Sequence, residues 1–201
     1  MTNLKILTTP NPMLRAKAKR VSKPDKKVLN LIYGMEKVLK KSKVPGAGLS
    51  ATQINVPLQI FVAYMSKDSI SPQNSSISTK PSIFVNPQIT WFSKELNTDV
   101  SPKENLLLEG CLSVPKIYAL IKRPWAIKVK YQTIESLRLK ASAKGRPASG
   151  WQSSKFEGFN STLFQHEIDH LNGILFTDRA LAQGAQIYEV GEDEELHPIV
   201  L

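Results

Sequence analysis

Residues 165–173 read Gln-His-Glu-Ile-Asp-His-Leu-Asn-Gly. On a helix, residues four apart lie on the same face, about one turn from each other. His166 and His170 are therefore predicted to bind one ion together, with Glu167 beside them. This is the H-E-x-x-H pattern of zinc hydrolases, in which two imidazoles bind the metal and the glutamate takes a proton from water. Two histidines leave such a site one protein ligand short of the usual three.

The alternative interpretation of this stretch is structural, because three fixed letters can occur on a helix by chance and buried histidines are common core residues. Phe159 and Leu163 share a helical face with the two histidines, so that face is predicted to point towards the core. Residues 154–157 have the S-x-x-E form of a capping box, which predicts that the helix begins there. Gly173 predicts its end.

Several residues compete for the place of the third ligand. Phe176 stands where a metzincin would carry a third histidine, so that class is excluded. Glu189 or Glu192 lies at about the distance expected of a thermolysin-like protease, and His197 is available near the C-terminus. Cys111 offers a soft thiolate, and two histidines with one cysteine complete an open tetrahedral site.

Composition predicts an ordinary globular protein. The chain has 201 residues, of which 41% are hydrophobic and 22% charged, and residues 1–201 are expected to form one domain. It contains no run of 18 apolar residues, so no membrane partner is expected. Its single cysteine excludes an intrachain disulfide and favours a reducing compartment.

The charge is unevenly distributed. The formal net charge is +10, from 27 basic and 17 acidic residues. Residues 180–201 form an acidic tail that contains no lysine or arginine and five acidic residues. Residues 1–179 therefore carry a net charge of +15. This positive charge either belongs to an ordinary solvated surface or attracts a polyanion such as RNA. No motif for sequence-specific nucleic-acid binding accompanies it.

The hydrophobic pattern predicts both helix and sheet. Residues 25–41 carry apolar side chains at helical spacing, with Asp25 as the expected N-cap. Strands are predicted where β-branched and aromatic residues concentrate or alternate with polar ones, at 56–64, 82–89, 125–131 and 137–141. The strands at 125–131 and 137–141 are expected to be antiparallel neighbours. Two polar stretches are interpreted as loop insertions: 66–80 and 91–106.

Three motifs together resemble those of peptide deformylases. Residues 46–53 are similar to the family's G-x-G-L-A-A-x-Q, residues 109–113 to its E-G-C-L-S, and residues 165–173 to its Q-H-E-x-D-H-L-x-G. They occur in the family's order, and the resemblance runs from about residue 4 to residue 178. Ser50 departs from the pattern, since the family usually has alanine there, and is expected to affect only fine packing.

The resemblance implies a fold and a reaction. The fold would be α+β, with antiparallel sheets around the helix that carries H-E-x-x-H. The reaction would be hydrolysis of the formyl group from the N-formylmethionine of newly synthesised polypeptides, with release of formate. Cys111, His166 and His170 would hold Fe²⁺, which Ni²⁺, Co²⁺ or Zn²⁺ can replace.

The resemblance also implies roles for neighbouring residues. Glu167 would transfer the proton, and the Gln53 amide and the Leu112 backbone N–H would donate to the oxyanion. The peptide would add as a strand along Gly46, Ala47 and Gly48, which is a β-augmentation. An apolar pocket would take the methionine side chain, with candidate wall residues Leu112, Phe159 and Leu163.

The expected partners are N-formylmethionyl nascent peptides and, through the basic N-terminal half, the ribosome. The candidate contact residues are Lys17, Lys19, Arg20, Lys26 and Lys27. The family-like region begins within a few residues of Met1, so a cytoplasmic enzyme is expected. Two rival hypotheses remain: a metalloprotease that uses Glu189 or Glu192, and a ribosome-associated protein with a vestigial site, against which the intact motifs argue.

Overall fold

The computed structural model describes residues 4–23, 25–42, 46–67, 77–100, 108–135 and 150–199. Within these ranges the strands are β1 (Gly48–Ser50), β2 (Ile60–Ala63), β3 (Ser82–Phe92), β4 (Glu109–Cys111), β5 (Val114–Ala119), β6 (Ala126–Gln132), β7 (Trp151–Glu157), β8 (Ile187–Val190) and β9 (Leu196–Ile199). The helices are α1 (Lys26–Lys41), α2 (Asn97–Val100), α3 (Gly158–Leu171) and α4 (Phe176–Gln183).

The strands form two antiparallel sheets. One has five strands in the order β1-β2-β3-β6-β7, and the other has four in the order β4-β5-β8-β9. Helix α3 contacts both. Phe164 packs into the core of the five-stranded sheet, and His166 reaches Glu109 on β4. The predicted α+β class with antiparallel sheets is confirmed.

Helix α1 agrees with its prediction. The Asp25 side chain accepts a hydrogen bond from the backbone N–H of Val28 at 2.9 Å, which satisfies one of the free donors at the helix start. The buried side chains are Val28, Ile32, Met35 and Leu39. Their spacing of three and four residues places them on one stripe against β1 and β2.

An aromatic cluster joins α3 to the five-stranded sheet. Phe164 lies edge-on to Phe84 at a centroid distance of 4.5 Å and to Phe61 at 5.0 Å. All three rings are buried. Such pairs add about 0.5–1.5 kcal/mol each beyond the area they bury. The cluster fixes the face of α3 that packs on the sheet and therefore the direction in which its histidines point.

The predicted strands are found with shifted ends. The range 56–64 contracts to β2, 82–89 lengthens to β3, and 125–131 becomes β6. On β6, Ile127 and Val129 are buried while Lys128 and Lys130 are exposed, as the alternation predicted. β6 pairs with β3 and β7, and the strand predicted at 137–141 lies outside the described residues.

The predicted start of the metal-motif helix was wrong. Residues 154–157 belong to β7, where Ser154 pairs with Val129 and Glu157 with Ala126. Their backbone groups are committed to the sheet, so no capping box forms. The chain turns from strand into α3 at Gly158, whose φ of +54° is a left-handed conformation that glycine adopts without strain.

The two predicted loop insertions are only partly described. In 66–80, the ends are joined by a bridge between Ser66 and Ile77, and 68–76 lie outside the described residues. In 91–106, Trp91 and Phe92 complete β3, 97–100 form α2, and 101–107 are not described. The interpretation of 91–106 as one loop was therefore wrong at its start.

The acidic tail is folded into regular structure over its described residues, 180–199. Residues 176–183 form α4, and β8 and β9 form a hairpin that pairs with β5. Ile187 on β8 is buried in a core with Leu175 and Phe176. The hairpin therefore completes the four-stranded sheet, while its acidic side chains remain exposed.

Candidate active site

The structure brings Cys111 together with His166 and His170. Cys111 ends β4, and the two histidines lie one turn apart on α3. One potential ligand atom from each lies within 4.8 Å of the other two, and Cys111 Sγ is 3.1 Å from His170 Nε2. Among the residues that the structure describes, no other group of three or more such side chains could hold an ion.

These donors fit a transition metal. One thiolate and two imidazoles make up the three protein ligands of an open tetrahedral site, with a fourth position for water or substrate. The other ring nitrogen of His170, Nδ1, is buried without a hydrogen-bond partner in the described part of the chain. The nitrogen of His170 that faces the thiol is Nε2, so this is the atom through which His170 could bind an ion together with Cys111.

The rival third ligands lie elsewhere. Glu189 is exposed on β8, where it pairs with Ile117 of β5, and Glu192 is exposed in the turn that follows. The Nε2 atom of His197 is occupied by Asp193 at 2.9 Å. None of these belongs to the histidine cluster. The placement of a protease-like ligand in the acidic tail is thereby contradicted.

An ion-pair network that is buried except at Arg179 contacts His166 on the side of its Nδ1 atom. Its Nδ1 atom lies 3.0 Å from Glu109 Oε2. Glu109 accepts two hydrogen bonds from Arg123, whose Nε is 2.5 Å and Nη2 3.0 Å away. Arg123 also donates to Asp169 at 2.9 Å, and Arg179 donates to the same carboxylate at 2.6 Å. Side chains that hold a metal-binding histidine in this way fix its ring orientation and tautomer.

The network sets the two histidines apart electrostatically. Burial lowers the pKa of His166, but hydrogen bonds and charge from Cys111 and Glu109 outweigh it, and the pKa ends well above the ordinary value. Burial and the positive charges of His166 and Arg123 hold the pKa of His170 well below that value.

Glu167 follows the first histidine and is buried beside β1. Ser50 donates a hydrogen bond from its hydroxyl to Glu167 Oε2 at 2.6 Å. A Cβ atom at Gly48 would overlap Glu167 Oε1, so only glycine leaves room for the carboxylate at this position. Burial raises the pKa of Glu167, while His166 and the Ser50 hydrogen bond lower it in part.

Gln53 also approaches the cluster, from a short 3-10 turn that directly follows β1. Its Oε1 atom accepts a hydrogen bond from the Ser50 backbone N–H at 2.8 Å. Its Nε2 atom is 3.1 Å from Ser113 Oγ and 3.6 Å from Cys111 Sγ. The amide is thus fixed at one end and directs its N–H group towards the cluster.

The remaining predicted site residues surround this centre. Leu112 is half-buried and packs so closely on Gly46 that a Cβ there would be 2.8 Å from its Cδ1 atom. Gly48 lies on β1, which is an edge strand paired only with β2 in the described part of the chain. Phe159 is half-buried and Leu163 buried on α3, and both pack in the core of the five-stranded sheet.

Comparison with known proteins gives the family. The family profile described as polypeptide deformylase matches residues 3–186. The chain belongs to the peptide deformylase family. It is 36% identical over 189 residues to a peptide deformylase of Prochlorococcus marinus, a match that covers 94% of this chain and 78% of the relative. The peptide deformylase of Agrobacterium fabrum is 33% identical over 178 residues, covering 89% of this chain and 87% of the relative.

Solved peptide deformylases share the fold. A plant peptide deformylase PDF1B matches with a TM-score of 0.66 and 34% identity, covering 89% of this chain and 81% of that chain. The Thermotoga maritima enzyme matches with a TM-score of 0.66 and 30% identity, covering 89% of this chain and 98% of that chain. A Met-Ala-Ser-bound class I type b enzyme of Acinetobacter baumannii matches with a TM-score of 0.68 and 27% identity, covering 88% of this chain and 97% of that chain.

This peptide deformylase is therefore a hydrolase that removes the N-terminal formyl group from newly synthesised polypeptides. Members of the family are metalloenzymes, and the cluster of one cysteine and two histidines is where this chain could hold its metal. In the described part of the chain, no helix is both long and apolar enough to cross a membrane.

Some functional neighbours were not predicted from the sequence. The contacts of Glu109 with His166 and of Asp169 with Arg123 could have been suspected, since both acidic residues lie inside motifs within two residues of a candidate ligand. Arg123 and Arg179 stand outside every motif, and only the folded chain brings them to these carboxylates. The contact between Ser50 and Glu167 joins two motifs that are 117 residues apart.

Proposed function

We propose that Cys111, His166 and His170 hold the metal at which this deformylase cleaves the formyl group. The observation that carries this proposal is the approach of their ligand atoms to within 4.8 Å of one another. A divalent ion bound there would lower the pKa of a water molecule and polarise the formyl oxygen. Glu109 positions His166 through the 3.0 Å contact to Nδ1, which leaves the opposite ring nitrogen to face the ion.

Glu167 is the proposed proton carrier. It accepts a proton from the attacking water and delivers it to the methionine nitrogen when the bond to the formyl carbon breaks. Its burial supports this role, because burial raises the pKa of the carboxyl and makes the carboxylate a stronger base than an exposed glutamate. Its place next to His166 keeps it near the cluster without making it a ligand.

Gln53 and Leu112 are the proposed donors to the oxygen that becomes negatively charged. The Gln53 amide is buried and lies 3.6 Å from Cys111 Sγ, so its N–H group is held close to the reacting centre. The Leu112 backbone N–H belongs to the residue directly after the cysteine. Loss of one such donor typically raises the activation free energy of the reaction by about 3–4 kcal/mol.

The formylated peptide is proposed to add as a strand along Gly46, Ala47 and Gly48. Support comes from β1, whose pairing with β2 uses one side of the strand in the described part of the chain. The methionine side chain would enter an apolar pocket, and Leu112, Phe159 and Leu163 remain the proposed wall residues. Phe159 and Leu112 are half-buried, so part of each side chain is available to a ligand.

Ferrous iron is the proposed physiological metal, as the resemblance of the motifs implies, with Ni²⁺, Co²⁺ or Zn²⁺ able to replace it. A donor set of thiolate and imidazole is compatible with all four ions. The sequence contains a single cysteine and therefore no intrachain disulfide, which supports a reducing compartment, and we propose the cytoplasm.

A ribosome contact is also proposed, since formylated chains emerge there. The candidate cations Lys17, Lys19, Arg20, Lys26 and Lys27 are all exposed. The Arg20 guanidinium lies 5.2 Å from the Trp151 ring centroid, and the Lys130 ammonium group lies 5.0 Å from the same ring. Basic groups grouped around an aromatic ring suit a nucleic-acid surface, where phosphate attraction and stacking combine.

One assay tests the proposed chemistry. The purified protein is loaded with nickel, and its release of formate from formyl-Met-Ala-Ser is compared with its cleavage of an unformylated peptide that contains internal bonds. The proposal expects one metal per chain, formate release, and no internal cleavage. Internal cleavage without formate release would favour the metalloprotease, and absence of both activities in a metal-loaded protein would favour a vestigial site.

A further inference from the structure

The hydroxyl of Ser50 is placed directly on the proposed proton carrier. Ser50 Oγ lies 2.6 Å from Glu167 Oε2 and 3.0 Å from the Glu167 backbone carbonyl oxygen. Ser50 is 0% and Glu167 2% exposed, so water does not compete for this hydrogen bond. A hydroxyl donating to a carboxylate at this distance makes a charge-assisted bond, about twice as strong as a neutral one.

This contact leaves the two carboxylate oxygens in different surroundings. Oε2 accepts from Ser50, while Oε1 faces Gly48 at a spot that a Cβ would fill. Ser50 itself is fixed, because its backbone N–H donates to Gln53 Oε1 at 2.8 Å and its residue pairs with Phe61 in the sheet. One serine is therefore bonded both to the proposed base and to the side chain of a proposed oxyanion donor.

We propose that Ser50 is a positioning residue, whose hydroxyl holds the Glu167 carboxylate by Oε2 so that Oε1 is presented for proton transfer. The inference rests on the function proposed for Glu167. It also assigns a role to the one position at which the glycine-rich motif departs from the family's usual alanine. Since an alanine there is compatible with the motif, the hydroxyl is expected to tune turnover rather than to be indispensable.

The first test is Ser50→Ala in the nickel-loaded protein with formyl-Met-Ala-Ser as substrate. The kcat is expected to fall roughly 3- to 30-fold, because a carboxylate that rotates freely spends less time in the productive orientation. The KM and the bound metal are expected to stay unchanged. Ser161→Ala is the matched control, since that serine is also 0% exposed, lies on α3 and donates its hydroxyl to the Pro124 carbonyl at 2.9 Å. Its kcat should not change.

A second background separates positioning from packing. In Glu167→Gln the proton carrier is absent, so adding Ser50→Ala should not lower the residual turnover further. The same fractional loss in both backgrounds would overturn the inference and assign the serine to packing. A normal kcat for Ser50→Ala would also overturn it. If Glu167→Gln itself kept full activity, the proposed function of Glu167 would fail, which is a different outcome.

A readout that does not depend on activity is the crystal structure of the nickel-loaded Ser50→Ala protein. The inference expects the Glu167 carboxylate to rotate or to occupy more than one orientation, with the backbone of α3 unchanged. A carboxylate that keeps a single orientation identical to that of the unsubstituted protein would contradict a positioning role for the hydroxyl.

Discussion

His166 Nδ1 lies 3.0 Å from Glu109 Oε2, and this contact joins two of the three motifs through their side chains. Glu109 is two residues before the proposed cysteine ligand on β4, while His166 is on α3. Arg123 holds the same carboxylate from the opposite side, with only 4% of its side chain exposed. The orientation of a proposed ligand therefore depends on a buried ion pair that contributes no ligand atom itself.

This relationship predicts the effect of Glu109→Gln on metal affinity. Loss of the carboxylate charge weakens the hold on His166, and affinity for nickel is expected to fall by about 10- to 100-fold. Competition with a chelator of known affinity measures the change. Glu95→Gln is the control, because Glu95 is exposed and its side chain is not part of the network. Equal affinities in the Glu109→Gln protein and the unsubstituted protein would show that the contact does not position the ligand.

The same carboxylate predicts a pH dependence of stability. Burial raises the pKa of Glu109, but the charge and hydrogen bonds of Arg123 and His166 outweigh it, so the pKa lies below the ordinary value of 4.5. As pH falls, the unfolded chain binds this proton before the folded chain does. The contribution of the Glu109 carboxylate to the free energy of unfolding is therefore fully present above about pH 4.5. It is lost as pH falls through the lower pKa that Glu109 has in the folded chain.

Unfolding free energies from denaturant titrations at pH 7, 5, 4 and 3.5, with metal content checked at each pH, test this expectation. The acid-side loss should be smaller in Glu109→Gln than in the unsubstituted protein. At pH 7 that variant should be less stable by roughly 3 kcal/mol, since removal of one partner leaves the buried Arg123 incompletely paired. Parallel pH curves for the two proteins would contradict the assignment.

The sequence predicted features that depend on local pattern. The α1 stripe and the alternation in β6 were confirmed by the structure. Both follow from periodicity, which operates over a few residues, so no long-range packing has to be known to predict them. The preference for Cys111 over the rival ligands depended on the motif resemblance, and the structure brings its thiol close to the two histidines.

Other features depend on contacts that only the folded chain makes. Residues 154–157 look like a capping box, yet β6 takes their backbone hydrogen bonds and the helix begins later. The acidic tail has no strong strand pattern, but β5 offers an edge to which β8 pairs, and β9 pairs in turn with β8. Arg123 carries no motif and becomes part of the site through partners 14 and 46 residues away.

Glu167→Gln is predicted to keep its metal and lose turnover. The amide occupies the same space and can still accept from Ser50, but it cannot take a proton from water. Turnover of formyl-Met-Ala-Ser should fall by several orders of magnitude, roughly in line with the loss of a general base on activated water. Metal analysis and formate release on the same sample check both halves. Unchanged turnover would require another proton acceptor.

Ribosome binding is predicted to depend on the basic surface and to weaken with salt. Phosphate contacts by Lys and Arg release counterions, so affinity should fall steeply as salt rises. Arg20→Glu and Lys130→Glu should each weaken co-sedimentation with ribosomes and reduce the slope against salt. Glu192→Lys, in the exposed turn of the acidic hairpin, should leave binding unchanged or strengthen it. If Glu192→Lys weakened binding while Arg20→Glu and Lys130→Glu did not, the contact would lie on the hairpin.

The most direct test of the central claim is the metal content of Cys111→Ala, measured together with its release of formate from formyl-Met-Ala-Ser. We predict that this protein binds no stoichiometric metal and releases no formate, because the third ligand of the site is gone. Glu189→Ala, which alters an exposed carboxylate on β8, should keep both the metal and the activity. Stoichiometric metal retained in Cys111→Ala, or metal lost in Glu189→Ala, would contradict the account.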